Sequence, residues 1–291
     1  MRTNNYLLIL FIILGFIFTP YTYMHADEQP NMKVHFINVG QGDSILIQTP
    51  SNKTILIDGG PPEAGKKVVA YLKKQKVNKI DLLIATHPDI DHIGGLTHVM
   101  KSVEVAKILD SGKLYSTKTY ARYMKEIDKQ KVPLEVAKEN ELIKLDKRMK
   151  IRVLNTYSGK KNNNQSSIAL KISFKEMDFL FMADVEREQE KKLLSKYNLE
   201  ADIVKVAHHG SKTSSSLAFF QEVKPEVAIL TYSKANNYGH PVDRVIKNLN
   251  KINAQIYSTA VFGDVVISTN GESYFILPER SPVEGLLEKA S

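Results

Sequence analysis

Along nearly the whole chain, short apolar runs of β type alternate with longer stretches in which apolar residues recur at helical spacing. Residues 32–38, 44–49 and 54–58 are apolar-rich and separated by Gly40-Gln41-Gly42 and Ser51-Asn52, so they predict three strands joined by turns. Residues 63–75 place Val68, Val69 and Leu72 at helical spacing, and Leu82-Leu83-Ile84-Ala85 follows as a buried strand. The pattern continues with a strand over 103–109, a helix over 118–130 and strands over 149–154, 168–174 and 179–182. A second series predicts helix 186–196 before strand 202–207, helix 214–222 before strand 227–231, and helix 242–250 before strands near 255–258 and 265–268. This is a mixed α/β (α+β) pattern: two β-rich halves, each flanked by helices, in a single domain over residues 32–276. Residues 160–165 read as a solvated loop, and residues 277–291 as a polar tail, a short terminal helix or irregular chain.

Polar chemistry enters at the ends of the apolar runs. Thr86-His87-Pro88-Asp89-Ile90-Asp91-His92-Ile93-Gly94-Gly95 packs two imidazoles and two carboxylates into six residues directly after a buried strand, where ligands can converge at the sheet edge. Imidazole suits zinc, iron or manganese and carboxylate favours harder ions. The mixed set points to one or two hydrolytic divalent ions rather than to copper or an iron–sulfur cluster. His87 and Asp89 can face one way and Asp91 and His92 can serve a second ion, and two ions roughly 3.5–4 Å apart would polarise a phosphoryl or carbonyl group. Asp184 closes the run 179–182, either as a carboxylate bridging both ions or as the cap of the next helix. His208-His209-Gly210 closes the run 202–207, and consecutive residues at a strand end diverge, so one ring would face metal and the other substrate. His240, in Asn237-Tyr238-Gly239-His240-Pro241, would donate a proton to a leaving oxygen or bind a phosphate, or else cap the following helix. Asp58 would orient an imidazole by a hydrogen bond, and Gly59-Gly60 would let the backbone pass close to the site. Gln41, Asp43 and Ser44 are expected to shape a turn, and His35 and His98 to be structural.

Together these motifs resemble the metallo-β-lactamase-fold hydrolases of the ComEC competence type, the group that includes the soluble domain of the DNA-uptake competence protein. Beside residues 86–95, the resemblance rests on Phe36-Ile37-Asn38-Val39-Gly40-Gln41-Gly42-Asp43-Ser44, Leu56-Ile57-Asp58-Gly59-Gly60, Asn164-Gln165-Ser166-Ser167, Ala183-Asp184, His208-His209-Gly210-Ser211 and Asn237-Tyr238-Gly239-His240-Pro241. It runs from about Met32 to Ile276. Asp89 stands where the wider superfamily has its second His, a substitution typical of the competence branch.

The resemblance implies a four-layered αββα sandwich. It also implies a centre in which His87, Asp89, Asp91, His92, Asp184 and His209 hold one or two ions of zinc or manganese, with Asp91, His208 and His240 taking part in catalysis. The superfamily's ligand His commonly precedes a Gly, which favours His209 over His208; the opposite assignment stays open. There are two departures. Ala183-Asp184 replaces the usual Gly-Asp, and where many relatives supply a His for the first ion this chain has Asn164, Ser166 and Ser167. Asn164 and Ser167 are therefore expected to support the ligands, with the first ion relying on water and a hard cation. The fold name describes a scaffold and carries no implication of β-lactam hydrolysis.

Composition sets the surroundings. Hydrophobic residues make up 43% of 291, enough for a substantial core, and the chain has no cysteine, which excludes a disulfide framework, thiolate ligands and a lipid-modified N-terminal Cys. Arg2 precedes a 13-residue apolar run from Tyr6 to Phe18 and then Pro20, the shape of a secretory signal peptide over residues 1–26. That run is short against the ~20 residues of a membrane span; the alternative is an uncleaved anchor holding the domain on the outer face. Removing residues 1–26 takes away Arg2 and no acid, leaving 39 basic against 32 acidic side chains, a net +7. A basic surface favours an anionic phosphodiester polymer, DNA first, and also suits an anionic cell wall. The expected function is an exported metal-dependent phosphodiesterase or nuclease acting on DNA. The rivals are a cell-wall phosphoesterase of the phosphorylcholine or teichoic-acid type and a non-catalytic DNA- or wall-binding module; no obligate protein partner is evident. Expression in a bacterium should release a protein beginning near Asp27, checked by intact mass and N-terminal analysis of medium and membrane fractions. Full-length chain confined to the membrane would favour the anchor.

Overall fold

The apolar runs form strands because both of their faces are covered. A computed structural model describes residues 31–159 and 162–281; the candidate signal segment, Lys160, Lys161 and residues 282–291 lie outside the described residues. Strands β1 (Met32–Phe36), β2 (Ile45–Gln48) and β3 (Thr54–Ile57) form an antiparallel meander. Helix α1 (Gly65–Lys74) leads to β4 (Lys79–Ile80) and β5 (Leu82–Ala85); short helices α2 (Ile90–Ile93) and α3 (Leu96–Ser102) then lead to β6 (Glu104–Val105) and β7 (Ile108–Asp110). Helix α4 (Lys118–Gln130) begins where the Thr117 hydroxyl accepts from Tyr120 N, and it precedes β8 (Leu134–Val136). The second half opens with β9 (Leu142–Ile143), β10 (Met149–Asn155), β11 (Ala169–Phe174) and β12 (Met177–Phe181). It continues through α5 (Arg187–Lys196), β13 (Ile203–Lys205), α6 (Leu217–Val223), β14 (Val227–Leu230), α7 (Asp243–Lys251) and β15 (Gln255–Ser258). The chain returns through α8 (Thr259–Phe262) to β16 (Val265–Thr269) and β17 (Tyr274–Pro278).

One sheet has the order β17-β16-β1-β2-β3-β5-β7-β8 and the other β15-β14-β13-β12-β11-β10-β9. Between them lies an apolar core of Val34, Phe36, Ile45, Ile47, Ile55, Ile57, Leu82 and Ile84 from the first sheet against Ile151, Leu170, Ile172, Phe179, Phe181 and Ile229 from the second. The alternate residues of the same strands face outward. Leu46, Leu56 and Leu83 pack with Val68, Leu72, Val99 and Tyr123 of the helices on one side. Leu180, Val204 and Ala228 pack with Leu193, Phe220 and Leu249 on the other. The result is the expected αββα sandwich, and it explains why these strands read as unbroken apolar runs.

Two sequence expectations need correction. Residues 103–109 are not one strand: β6 pairs with β4 in a separate two-stranded ribbon, and only β7 joins the large sheet. The polar tail expected from residue 277 begins later, because β17 pairs with β16 from Tyr274 opposite Thr269 to Pro278 opposite Val265. β17 is an edge strand that leaves Phe275 and Leu277 exposed, so burial does not mark it in the sequence.

The outer face of β1 also buries His35, whose Nδ1 lies 2.9 Å from the Tyr71 hydroxyl and whose Nε2 lies 3.1 Å from Gln48 Oε1. Burial pushes its pKa down to about 4, against the opposing effect of the Gln48 hydrogen bond. The unfolded ring titrates near 6.5, so between that pH and about 4 the unfolded chain binds a proton that the folded chain refuses. Stability is therefore unaffected by this group above pH 6.5 and falls as pH drops through the window, by about 1.4 kcal/mol per pH unit. Urea unfolding of His35→Gln should show a shallower fall over this range than wild type; parallel curves would assign the slope to other groups.

Candidate metal centre

Strands β3 and β5 run parallel in one sheet, β12, β13 and β14 run parallel in the other, and the chemistry-bearing segments follow their carboxyl ends. Asp58 follows β3, residues 86–92 follow β5, Asp184 follows β12, His208 and His209 follow β13, and Thr231 follows β14. Several of these residues turn sharply. Asp58, Ala183, His208 and His209 all have left-handed backbone, with φ of 57°, 42°, 50° and 54°. Such conformations cost a non-glycine residue of order 1–3 kcal/mol, and they gather here because each redirects a side chain into the cleft. At Gly95 the constraint is close approach, since a Cβ there would lie 2.0 Å from the Gly59 carbonyl oxygen.

At the centre is the Asp184 carboxylate, fully enclosed. Its Oδ1 lies 3.3 Å from His92 Nε2, and its Oδ2 lies 3.5 Å from His208 Nε2, 3.6 Å from His209 Nε2 and 3.9 Å from His87 Nε2. Asp89 Oδ2 is 3.4 Å from His87 Nε2 and Asp91 Oδ2 is 3.5 Å from His209 Nε2, so one carboxylate flanks each side.

The outward nitrogens of three imidazoles are committed. His92 Nδ1 donates to Asp58 Oδ2 at 2.7 Å and His209 Nδ1 to the Thr231 carbonyl at 2.7 Å. Thr86 Oγ1 gives its proton to Asp58 Oδ2 at 2.6 Å and so accepts from His87 Nδ1 at 3.0 Å. This tautomer leaves each Nε2 with a lone pair facing inward. His87 Nε2, His92 Nε2, His209 Nε2 and Asp184 Oδ1 are buried with no hydrogen-bond partner. Buried polar atoms are nearly always satisfied, so four orphans gathered in one cleft fit one or two divalent cations. Ligand atoms of His87, His92 and Asp184, and of Asp91, His92 and His209, lie within 4.8 Å of one another in each group, in keeping with one or two ions.

Charge crowding is visible in the protonation behaviour. Burial opposes the charged form of Asp184, but His209, His92 and His208 outweigh it and hold its carboxyl well below the usual range. For His92 burial works against protonation, while Asp184 and Asp58 raise its pKa well above the ordinary value. Burial raises the Asp91 carboxyl, and His209 and His92 more than reverse this. His208 and His240 behave differently: burial, with the neighbouring imidazoles, lowers both, His240 to about 4. These two rings stand neutral at the rim.

The structure resolves several alternatives left open by the sequence. Asp184 does not cap α5, whose N-cap is Glu186, and His240 does not cap α7, whose N-cap is Val242. His240 lies with its ring 5.5 Å from that of His208 and 6.4 Å from that of His209. The expectation that His208 and His209 diverge fails, because it assumed extended backbone; both are left-handed and both Nε2 atoms reach Asp184 Oδ2. They differ in depth, since His209 is buried while His208 is partly exposed and bonds Thr213 through Nδ1. Ser167 supports the centre through its hydroxyl, which accepts from Asp184 N at 3.3 Å. Asn164 contributes only a backbone carbonyl, to Ser167 N, and the amide that meets a candidate ligand is Asn163 Nδ2, 2.5 Å from Asp89 Oδ1.

Other supporting roles were not foreseen from the sequence, where Asp43 was expected only to shape a turn. Asp43 forms a buried ion pair with Lys205 at 2.6 Å, accepts from the Thr231 hydroxyl at 2.5 Å and lies 3.5 Å from His209 Nδ1. Lys205 sits inside Ile203-Val204-Lys205-Val206, and a charge in a buried apolar run is a signal that a buried partner exists. Arg244 donates to the carbonyls of Ser214 and Ser215 and so braces the loop behind His209; nothing local marks it.

Residues 37–233 match the metallo-beta-lactamase superfamily, and the chain belongs to it. Its curated relatives include a ComE operon protein, a recombination protein and a competence protein. It is 28% identical over 252 residues to ComE operon protein 3 of Bacillus subtilis (strain 168), which covers 80% of this chain and 32% of that protein. It is 30% identical over 217 residues to competence protein ComA of Neisseria gonorrhoeae, covering 72% of this chain and 28% of that protein. The chain thus spans about a third or less of the length of these relatives. Among solved structures, the metallo-beta-lactamase fold protein YhfI from Bacillus subtilis aligns over 86% of this chain and 99% of its own, with TM-score 0.54 at 15% identity, a likeness of fold.

His209→Ala should empty much of the metal measured after purification, whereas His208→Ala should retain most of it and lose turnover. Asp58→Asn should weaken metal affinity about 10- to 100-fold by loosening His92. Metal stoichiometry measured beside kcat tests all three, and loss of metal from His208→Ala with retention in His209→Ala would exchange the two roles.

Proposed function

We propose that this chain is an exported metal-dependent phosphodiesterase whose substrate is DNA. The observation that carries the reading is the inward convergence of His87, His92, His209 and Asp184 through atoms that have no protein partner, flanked by Asp89 and Asp91. The metallo-beta-lactamase superfamily is a fold of metal-dependent hydrolases, and the donor set of imidazole and carboxylate suits zinc or manganese. These residues would hold one or two divalent ions, which would supply Lewis acidity toward a phosphoryl oxygen and acidify water.

The remaining work falls to the protein. Asp58, Thr86 and the Thr231 carbonyl hold the three imidazoles in one tautomer and orientation, so little reorganisation is needed during reaction. Asp91 lies beside His209 and remains ionised, placing it to accept a proton or hold an ion. His208 and His240, neutral at the rim, present nitrogens to an incoming phosphodiester. An anion arriving beside His240 raises its pKa, so the ring gains the proton it would pass to a leaving oxygen only once substrate is bound.

The net charge, +8 for the full chain and +7 without residues 1–26, favours a polyanion, and the similarity to a protein named for competence favours DNA over a wall phosphodiester. Plasmid and single-stranded DNA incubated with manganese or zinc should be cleaved by wild type and untouched by Asp91→Ala and His92→Ala, both of which should keep the wild-type circular dichroism spectrum. Cleavage of a choline phosphodiester in place of DNA would transfer the assignment to the cell wall, and bound metal without any turnover would favour a binding module. Unfolding of the variants would make the ion structural.

A further inference from the structure

Three rings rise in a column from the metal centre to solvent. His209 lies at the base, His240 stacks over it at 6.4 Å and 28°, and Tyr238 stacks over His240 at 5.6 Å and 24°. All these spacings are ordinary for interacting aromatic rings. Tyr238 is nevertheless 70% exposed, so the column ends in a large apolar surface open to water.

A single exposed aromatic needs no explanation by itself. What distinguishes this one is that its loop is held in place. Asn236 Oδ1 accepts from Tyr238 N at 3.1 Å and from His240 N at 3.0 Å, while its Nδ2 donates to the His240 and Ser233 carbonyls, each at 2.7 Å. The base of the loop is tied to the site by Ser233 N donating to Gln41 Oε1 at 3.3 Å, and beyond it Val242 N donates to the Gly210 carbonyl at 2.9 Å. One amide side chain thus fixes the backbone beneath both upper rings, which stack on each other, and a platform formed before substrate arrives loses little entropy on binding.

We infer that Tyr238 is a stacking platform for a nucleobase next to the scissile phosphodiester, a subsite that selects nucleic acid among phosphodiesters. This rests on the phosphodiesterase reading of the metal centre. Base–aromatic stacking needs a flat, accessible π face beside a basic surface and tolerates any sequence. Here the ring is backed by the His240 imidazole and shares its loop with the exposed Lys234. A quaternary ammonium such as choline also binds aromatic faces, but it is held by cages of several rings, whereas Tyr238 offers one flat open face on a cationic protein.

Binding and hydrolysis can be read separately. Fluorescence anisotropy in EDTA would follow a labelled single-stranded oligonucleotide and the same strand with abasic sugars throughout, using wild type, Tyr238→Ala and Tyr238→Phe. Tyr238→Ala should weaken binding of the base-containing strand about tenfold, the size of one base–aromatic stack, with no matching loss on the abasic strand. Tyr238→Phe, which keeps the ring, should bind like wild type. Equal loss on both strands would mean that the ring acts only by holding His240, and no loss, or no oligonucleotide binding by wild type, would equally overturn the subsite. Competition by phosphorylcholine that disappears in Tyr238→Ala would replace the nucleobase with a quaternary ammonium. Adding manganese or zinc then separates the two readings: base-dependent binding without cleavage removes the nuclease assignment and leaves the subsite, while cleavage indifferent to Tyr238 does the reverse.

Discussion

The organisation of the site follows from burying one carboxylate. Asp184 sits between the two sheets with four imidazoles around it, and an ionised group in such surroundings persists only if positive charge is supplied close by. In the absence of an ion Asp184 draws protons toward the inward nitrogens of His92 and His209, raising the pKa of both against the effect of burial. With a divalent cation the same inward nitrogens turn from donors to ligands, and metal binding therefore releases protons. Each imidazole requires an outward acceptor to keep this option. The residues that provide them, Asp58, Thr86 and Thr231, are as deeply buried as the rings.

The requirement propagates. Asp58 is itself a buried carboxylate and is satisfied by Thr86 N, the Thr86 hydroxyl and His92. Thr231 gives its carbonyl to His209 and its hydroxyl to Asp43, and Asp43 is neutralised by the buried Lys205. A chain of polar groups therefore leads from the cleft into both sheets, each link meeting the unsatisfied group of the one before. Strained backbone at positions 58, 183, 208 and 209 is tolerated because rigid strands over-determine these turns. Ala183 shows the cost most plainly, since it takes a left-handed conformation where a glycine would be unstrained.

Much of this was legible in the sequence, and the exceptions have physical causes. Helix Lys118–Gln130 has the bounds expected from the sequence, and the structure shows the Thr117 hydroxyl capping its start. The αββα arrangement followed from unbroken apolar runs whose two faces both need cover. The ligand cluster was visible because polar residues at the end of a buried strand have few structural reasons to be there. The Asp43–Lys205 pair joins opposite sheets and no local pattern encodes its register, although a lysine in a buried strand announced that a partner was needed. The bracing by Asn163 in place of Asn164 depends on which face of a short 3-10 turn each amide occupies, below the resolution of pattern reading. The convergence of His208 and His209 depends on left-handed backbone at two non-glycine residues, which sequence alone argues against.

The two sides of the centre are unequal in a way that bears on their chemistry. On one side His209 is enclosed and locked by Thr231, and it meets Asp91, whose carboxyl is held ionised. On the other, His87 meets Asp89, whose second oxygen is taken by the Asn163 amide. An amide at that point steadies the carboxylate but is a weaker ligand than a neutral imidazole, so an ion on the His87 side would rely more on oxygen donors. His208, His240 and Tyr238 stand at the rim beside His209, so the ordered, enclosed half of the centre lies under the ring column and the oxygen-rich half lies across from it.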